Sequence, residues 1–420
     1  MDKKSQDFTL LTGSKVIDGN GGRPIEDGVL LMEGDEIKAI GQKGSIPIPE
    51  GASINEIDYP GMTLLPGLVD CHVHLIGIGD GRSGDELSQL PDEVLTLQAS
   101  QNAEAHLFSG VTTVRDLGAK NKTTFMLRLA QQMGITNAPR LILSGRPIAI
   151  IGGHLSYFGT TATGVVEGRA AVRQLLGEGA DFIKITATGG STKTSVPGRP
   201  SFNVDEISAI ADEAHKFGVH VAAHCTNSQG ILNALDGGVD TIIHGYHMEP
   251  DGTLTYRREI GERMAKNGIF LNPTLQQGRD RIWQLLAKRN TTELTTSENK
   301  EIDDFEKSWA ERLPFFENLL NDGVKLVAGT DASWMHYKLG GTSLQDEILA
   351  HVDIGLSPME AIVSATRDSA RSCWIDDHVG TLEPGKKADI LVVDGDPSTD
   401  IKALRNIQDI YLSGNRVIRK

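Results

Sequence analysis

Short bursts of alternating apolar and polar residues open the chain: FTLLTGSKVID, GVLLMEGDEIKAIG and INEIDYPGMTLL, separated by glycine-rich turns such as GNGG and EGDE. Alternation with period two puts every second side chain on one face, so residues 1 to about 60 predict the strands of a small β-sheet. The last forty residues repeat the pattern in ADILVVDGD and IQDIYLSGNRVIRK. Neither end carries enough strands to close a core of its own. The expectation is that residues 1–63 and 385–420 pair into one small β-sandwich domain, discontinuous in sequence.

Over residues 64–384 the pattern changes to short apolar runs separated by longer amphipathic segments, the mark of βα units and a parallel sheet. The strand candidates, in order, are LLPGLVDCHVHL, TTVRDL, RLILSG, DFIKITATGG, VHVAAHC, TIIHGY, IFLNPTL and KLVAGTDAS. Helix starts are legible between them. Asn203 and Glu206 form a capping box ahead of the stripe Ile207, Ile210, Ala211 and Ala214, and Ser357, Pro358 and Glu360 open another helix in the same way. Eight strands alternating with helices predict an α/β fold, a (β/α)8 TIM-type barrel whose catalytic groups sit at the C-terminal ends of the strands. The charged segment 276–320, which contains SENKEIDDFEKSWAERLPFFENLL, reads as a cover over the barrel mouth or as an outer helix. Its charged face favours the outer helix.

Composition narrows the partners. A chain of 420 residues has room for a large core. Its 41 basic and 56 acidic residues give a formal charge of −15, which disfavours nucleic acid or an anionic membrane as partner. Three cysteines at wide spacing suggest neither a disulfide framework nor a cysteine zinc site, and they fit a reducing compartment. The N-terminus MDKKSQDFTLLTGSK has no apolar stretch long enough for a signal peptide, and no run reaches the length of a membrane span. A cytoplasmic location is expected.

The candidate chemistry starts at LLPGLVDCHVHL. Side chains two apart on a strand share a face, so His72 and His74 converge on one point. A buried pair of converging imidazoles is costly unless something shares them, and a divalent metal is the usual partner. Taken alone, most His-x-His pairs are surface or hydrogen-bonded histidines. The other strands change the weighing: Lys184 lies within the fourth, His224 ends the fifth, His244 the sixth and Asp331 the eighth. Each has a plain explanation by itself, a lysine paired with a carboxylate or a satisfied core histidine. Six such residues at one rim read jointly as a metal site. Imidazole and carboxylate ligands suit zinc, manganese or cobalt. Cys71 and Cys225, next to ligand histidines along their strands, should point away and read as packing.

These motifs, PG-x-x-D-x-H-x-H on the first strand, IK on the fourth, AH on the fifth, HG on the sixth and GTD on the eighth, resemble the amidohydrolase superfamily across essentially the whole chain. The tail, ATRDSAR followed by GTLEPGKKADILVVDGDP, is similar to that family's return from barrel to β-domain. GGH at 152–154, GADFIKITATGG and the AH of 223–224 resemble most the imidazolonepropionase-like branch, with its prolidase-like metal-dependent dipeptidases. The resemblance implies two divalent ions, usually zinc. It places His72, His74 and Asp331 on the first ion, His224 and His244 on the second, and Lys184 between them as a carbamate, a carboxylated lysine. It implies a hydroxide bridging the ions, which would lie about 3.5 to 4 Å apart, as the nucleophile. Asp331 would take its proton and pass it to the leaving group. His154 resembles the family histidine that holds or polarises the substrate.

One position departs from the dipeptidase members: Thr226 stands where a substrate-contacting tyrosine is common. Thr226 and His247 are the remaining candidates for substrate contact, with Gly189 to Thr192 as a small polar lining. The expected function is hydrolysis of an amide-type C–N bond in a dipeptide or N-acyl amino acid, the alternative being a urea, carbamate or other non-peptide amide. A deaminase fits less well, because Lys184 is present and no glutamate follows His224. A non-catalytic assembly protein would have lost ligands, and none is lost. The resemblance also brings homo-oligomers into view, and a small-molecule substrate.

Overall fold

The computed structural model describes residues 7–277, 279–334 and 336–419. Strands β1 (Asp7–Val16), β2 (Ile25–Glu26), β3 (Gly28–Glu33), β4 (Glu36–Gln42) and β5 (Ser53–Pro66) fall on the alternating bursts of the N-terminal stretch. The apolar runs that follow become β6 (Leu68–Val73), β7 (Val111–Asp116), β8 (Arg140–Leu143), β9 (Ile183–Thr186), β10 (Val221–Asn227), β11 (Thr241–Met248), β12 (Phe270–Asn272) and β13 (Lys325–Leu326). The tail supplies β14 (Ile390–Asp394), β15 (Ile407–Leu412) and β16 (Asn415–Arg416).

The two ends of the chain share one sheet, in the order β16-β15-β14-β5-β1-β3-β4 with β2 paired to β1. β5 joins them, running parallel to β1 and antiparallel to β14, with Leu65 opposite Leu391. Period-two alternation then divides β14. Ile390 and Val392 pack with Leu11, Leu30 and Leu64, while Leu391 and Val393 turn to the other face and join Leu68, Leu107 and Val111. One face of this sheet is therefore fastened to the residues around β6 and β7.

Strands β6 to β13 are parallel and form a three-stranded sheet, β6-β7-β8, and a five-stranded one, β9 to β13. The sheets meet at both edges. Ile148, just beyond β8, bridges to Ile185, with its N–H donating to Lys184 O at 2.8 Å. Beyond β13, Val73 bridges to Ala332, and the Asp331 N–H donates to His72 O at 2.7 Å. Backbone bonds thus lead from each strand to the next and from the last back to the first.

Helices alternate with these strands. Val204–Lys216 starts at the capping box of Asn203 and Glu206 and buries Ile207, Ile210, Ala211 and Ala214, and Pro358–Ser364 starts at that of Ser357 and Glu360. Each cap is worth about 1 kcal/mol. The segment 276–320 holds helices Arg279–Arg289 and Thr296–Asn321. Phe315, Phe316 and Leu319 of the second pack into the main apolar cluster, as an outer helix does. Among the described residues no helix is long and apolar enough to cross a membrane.

The run LLPGLVDCHVHL is not a single strand. Leu64 to Pro66 end β5, and Gly67 turns the chain into β6 with its N–H on Asp389 O. A Cβ on Gly67 would lie 2.2 Å from the Thr112 hydroxyl, so only glycine passes this crossing. The histidine-bearing strand is thereby a direct continuation of the strand that ties the chain ends together.

Candidate active site

At the C-terminal end of β6, His72 and His74 are buried with their Nε2 atoms 3.4 Å apart. Asp331 comes to them from beyond β13, its Oδ1 at 3.2 Å from His72 Nε2 and 3.5 Å from His74 Nε2. One potential ligand atom from each of the three lies within 4.8 Å of the others. The partners of the far ring nitrogens fix the tautomers. Asn272 gives its amide hydrogens to Val327 O and Gly329 O, which turns its Oδ1 toward His72 Nδ1 at 2.9 Å. His72 therefore carries its proton on Nδ1. His74 Nδ1 faces Gly118 O at 2.7 Å and does the same. Both Nε2 lone pairs then point at a carboxylate oxygen. Burial holds His72 well below the usual histidine range and His74 at about 3, so protonation does not relieve this clash of lone pairs. A shared cation relieves it, and two imidazoles with a carboxylate are a donor set for a divalent metal.

A second group lies beside the first. Ring centroids run from His72 to His244 at 5.6 Å, from His244 to His224 at 4.7 Å and from His224 to His154 at 4.5 Å. His244 Nδ1 meets the Thr274 hydroxyl at 2.8 Å, and His224 Nε2 meets Gly189 O at 3.1 Å. Burial keeps all three uncharged, His244 at about 3, His154 at about 4 and His224 well below the usual value. Lys184 is 1% exposed, and among the described residues its amine has no hydrogen bond or ion pair. Burial brings its pKa down to about 7, against the pull of Asp331. A cationic amine is a poor metal ligand, but an amine that is neutral near pH 7 is a nucleophile able to take up carbon dioxide.

His72, His74, His154, Lys184, His224, Thr226, His244 and Asp331 all line one cavity of about 650 Å³. The other candidate, His247, is not among them. It is buried against Phe315 and Tyr256 and accepts the Arg257 N–H on its Nδ1. Thr226 reaches the cavity, yet its hydroxyl is spent on Gly189 O, Pro197 O and Thr188. His154 sits against Gly190, where a Cβ would lie 2.6 Å from the imidazole. Cys71 and Cys225 are buried away from the cavity, Cys71 beside Cys373 at 3.7 Å.

The sequence does not announce the residues that orient these groups: Asn272, Thr274 and Gln277, whose amide donates to Asp331 Oδ2 at 3.0 Å; Thr192, expected as lining, faces His154 Nδ1. Nor does it announce Arg82, Gly84, Tyr246 and Met248 in the wall, which Leu155, Tyr157 and Trp334 complete from the loops after the strands. β10 and β11 run on to Asn227 and Met248, so His224 and His244 lie within their strands; Asn272 ends β12 level with His224 in the register, where a positional rule finds it. Backbone strain marks the site independently: Leu155, His244, Thr274, Asp331 and Ser333 all adopt positive φ without being glycine. Each such residue costs about 1 to 3 kcal/mol and persists where its surroundings over-determine it.

Comparison with known proteins agrees with this geometry. Residues 63–417 match the family described as the Amidohydrolase family. An ochratoxinase of Aspergillus niger is 24% identical over 94% of this chain and 83% of its own length. An imidazolonepropionase of Rhizorhabdus wittichii is 25% identical over 90% of each chain. A crystal structure of a Xaa-Pro dipeptidase with methionine bound in its active site superimposes with a TM-score of 0.80 at 29% identity, covering 98% of this chain and 99% of that one.

Proposed function

The chain belongs to the amidohydrolase family, hydrolases acting on carbon–nitrogen bonds, and from that premise we propose a binuclear metal-dependent hydrolase that cleaves an amide-type bond in an N-acyl amino acid or dipeptide. In this reading the two parallel sheets close as a (β/α)8 barrel over residues 64–384, and the ends, 1–63 with 385–420, form a small β-sandwich domain. The observation that carries the proposal is the pair of imidazole lone pairs aimed at Asp331 beside Lys184, whose amine has no partner among the described residues, an arrangement that divalent cations complete. His72, His74 and Asp331 would hold one ion, His224 and His244 the other, with Lys184 between them as its carbamate. Zinc is the expected metal. Ions bound there supply Lewis-acid polarisation of a carbonyl and a water that is acidic near neutral pH.

The chain's own residues do the rest. Asp331 accepts the proton of the attacking water and returns it to the leaving nitrogen. Its carboxylate is kept in place by the Gln277 amide. With the Thr192 hydroxyl donating to Nδ1, His154 carries its proton on Nε2 and offers it to the substrate carbonyl. Tyr157, Tyr246, Trp334 and Met248 give an apolar wall for the group flanking the bond. A second reading, hydrolysis of a urea, carbamate or other non-peptide amide, is favoured by Thr226. Its hydroxyl is spent on the backbone and leaves no tyrosine-like contact for a substrate carboxylate. The charge of −15 disfavours nucleic acid and anionic membranes as partners, and the reading is completed by a small-molecule substrate, a cytoplasmic location and homo-oligomers as in the family.

Elemental analysis of the purified protein tests the centre directly, with about two equivalents of divalent metal per chain expected. An active protein free of metal ends the proposal. A panel of N-acyl amino acids, dipeptides, ureas and lactams, supplied with zinc and bicarbonate, separates the two substrate readings. Lys184→Ala should lose activity and regain part of it with short carboxylic acids, and full activity without them removes the lysine from the mechanism.

A further inference from the structure

Helix Ser343–Asp353 lies outside the strands, and none of its residues lines the cavity. One of them, Glu347, is nevertheless fully buried and reaches the loop that leaves β12. Its Oε1 accepts the Leu275 N–H at 2.9 Å and its Oε2 the Gln276 N–H at 2.6 Å. Two successive backbone donors on the two oxygens of one carboxylate fix the orientation of the turn between them. Besides these bonds, the turn has Leu275 buried in an apolar cluster and the Gln277 N–H on Thr274 O at 3.4 Å. The Gln276 side chain is buried with neither its nitrogen nor its oxygen hydrogen-bonded, and Thr274 is held at φ 51°. Yet both ends of this turn act on the site. Thr274, just before it, meets His244 Nδ1 through its hydroxyl, and Gln277, just after it, donates to Asp331 Oδ2.

We propose that Glu347 is a positioning residue: through the Leu275 and Gln276 N–H groups it holds the turn from which Thr274 aims the His244 imidazole and Gln277 holds the outer oxygen of Asp331. The proposal rests on the reading of His244 as a metal ligand and of Asp331 as the base. It adds that their geometry is set from outside the strands by a buried anion that touches neither substrate nor metal. A buried carboxylate is costly to keep, and the charge-assisted bonds to the turn offset that cost. His351 at 3.5 Å is its other polar neighbour, itself facing the Ser364 hydroxyl.

The test uses the full chain loaded with cobalt(II), whose visible absorption reports ligand geometry independently of turnover. Glu347→Gln keeps the shape but puts an amide donor against backbone donors. Thr274→Val keeps the branching and removes the hydroxyl. Each is expected to alter the cobalt spectrum in the same sense and to lower kcat by about 10- to 100-fold with KM little changed, the range for groups that orient ligands. If Glu347 acts through Thr274, the double variant is no worse than the worse single one. A wild-type spectrum and kcat in folded Glu347→Gln overturns the proposal, and so do effects that multiply in the double variant. Should Glu347→Gln not fold, Thr274→Val and Gln277→Ala examine the same turn, and wild-type behaviour in both overturns it. A wild-type chain that takes up no cobalt refutes the functional reading and the positioning role with it. A chain that binds cobalt while its variants are unchanged refutes the positioning role alone.

Discussion

Asp70 and Asp331 are both buried carboxylates at the start and end of the same strand circuit, and they are treated in opposite ways. Asp70, two residues before His72 on β6, accepts from four donors: the His72 N–H, the Thr330 N–H and hydroxyl, and His106 Nε2. Nearby, Arg115 is equally buried and donates to Cys71 O and Ser372 O with its face on Phe182. Asp331, one residue beyond Thr330, instead faces two nitrogen lone pairs. The Lys184 amine has no hydrogen-bond or ion-pair partner among the described residues. The Asp70 carboxylate is satisfied internally, which is what a structural core does. The rim leaves its charges in need of a guest. Burial alone does not distinguish the two; the direction of the lone pairs does.

Acid should separate the layers most strongly. His72, His74, His154, His224 and His244 at the rim all have folded pKa values below the ordinary 6.5, as does His220 in the layer beneath. For each, the unfolded chain takes up a proton first as pH falls, so the stability present above pH 6.5 is lost on going below it, by up to about 1.4 kcal/mol per pH unit per group. Urea denaturation of the metal-free chain at pH 7.5, 6.5 and 5.5 should show this steep loss. Added zinc should move the acid midpoint downward, and an unmoved midpoint would mean that the rim binds no metal.

Asp331→Asn comes next. It should fold with an unfolding midpoint near that of the wild type and lose turnover by about 10³-fold, near 4 kcal/mol of activation barrier. A wild-type rate would assign the base elsewhere. Asp70→Ala should show the reverse pattern, losing about 3 kcal/mol of stability in urea because His106 and Thr330 are left without their acceptor. Its folded fraction should remain catalytic, and a stable but inactive Asp70→Ala would place that carboxylate in the chemistry. Cys71→Ser should do least, costing about 1 kcal/mol or less and leaving kcat unchanged. A large loss of activity there would show that the opposite face of β6 also serves the site.

The ligand candidates were legible because strand ends and short motifs fix both their position and their type. His72, His74, Lys184, His224, His244 and Asp331 face one cavity, and His154, which the resemblance singled out, joins them from the loop after β8. Thr274 and Gln277 were not legible, since a threonine in NPT reads as a turn and its partner His244 is set only when β11 and β12 pack. His247 lies off the cavity because parity holds: His244, Tyr246 and Met248 line it, and His247, on the other face, packs against Phe315. Arg82, Tyr157 and Trp334 come from loops without period, where no pattern announces a wall. The division of LLPGLVDCHVHL at Gly67 was hidden because both halves are apolar.

That division has a consequence during synthesis. β5 gains β1 as a neighbour early, but its other edge waits for β14, with Leu65 opposite Leu391. At about 5 to 20 residues per second, the ribosome needs on the order of tens of seconds to deliver β14. Throughout that interval one edge of β5 is open, the kind of edge that recruits other strands. A chain stalled before Ile390 carries His72 and His74 on a strand whose base is still unfastened, so the centre and the closure of the chain mature in the same late event.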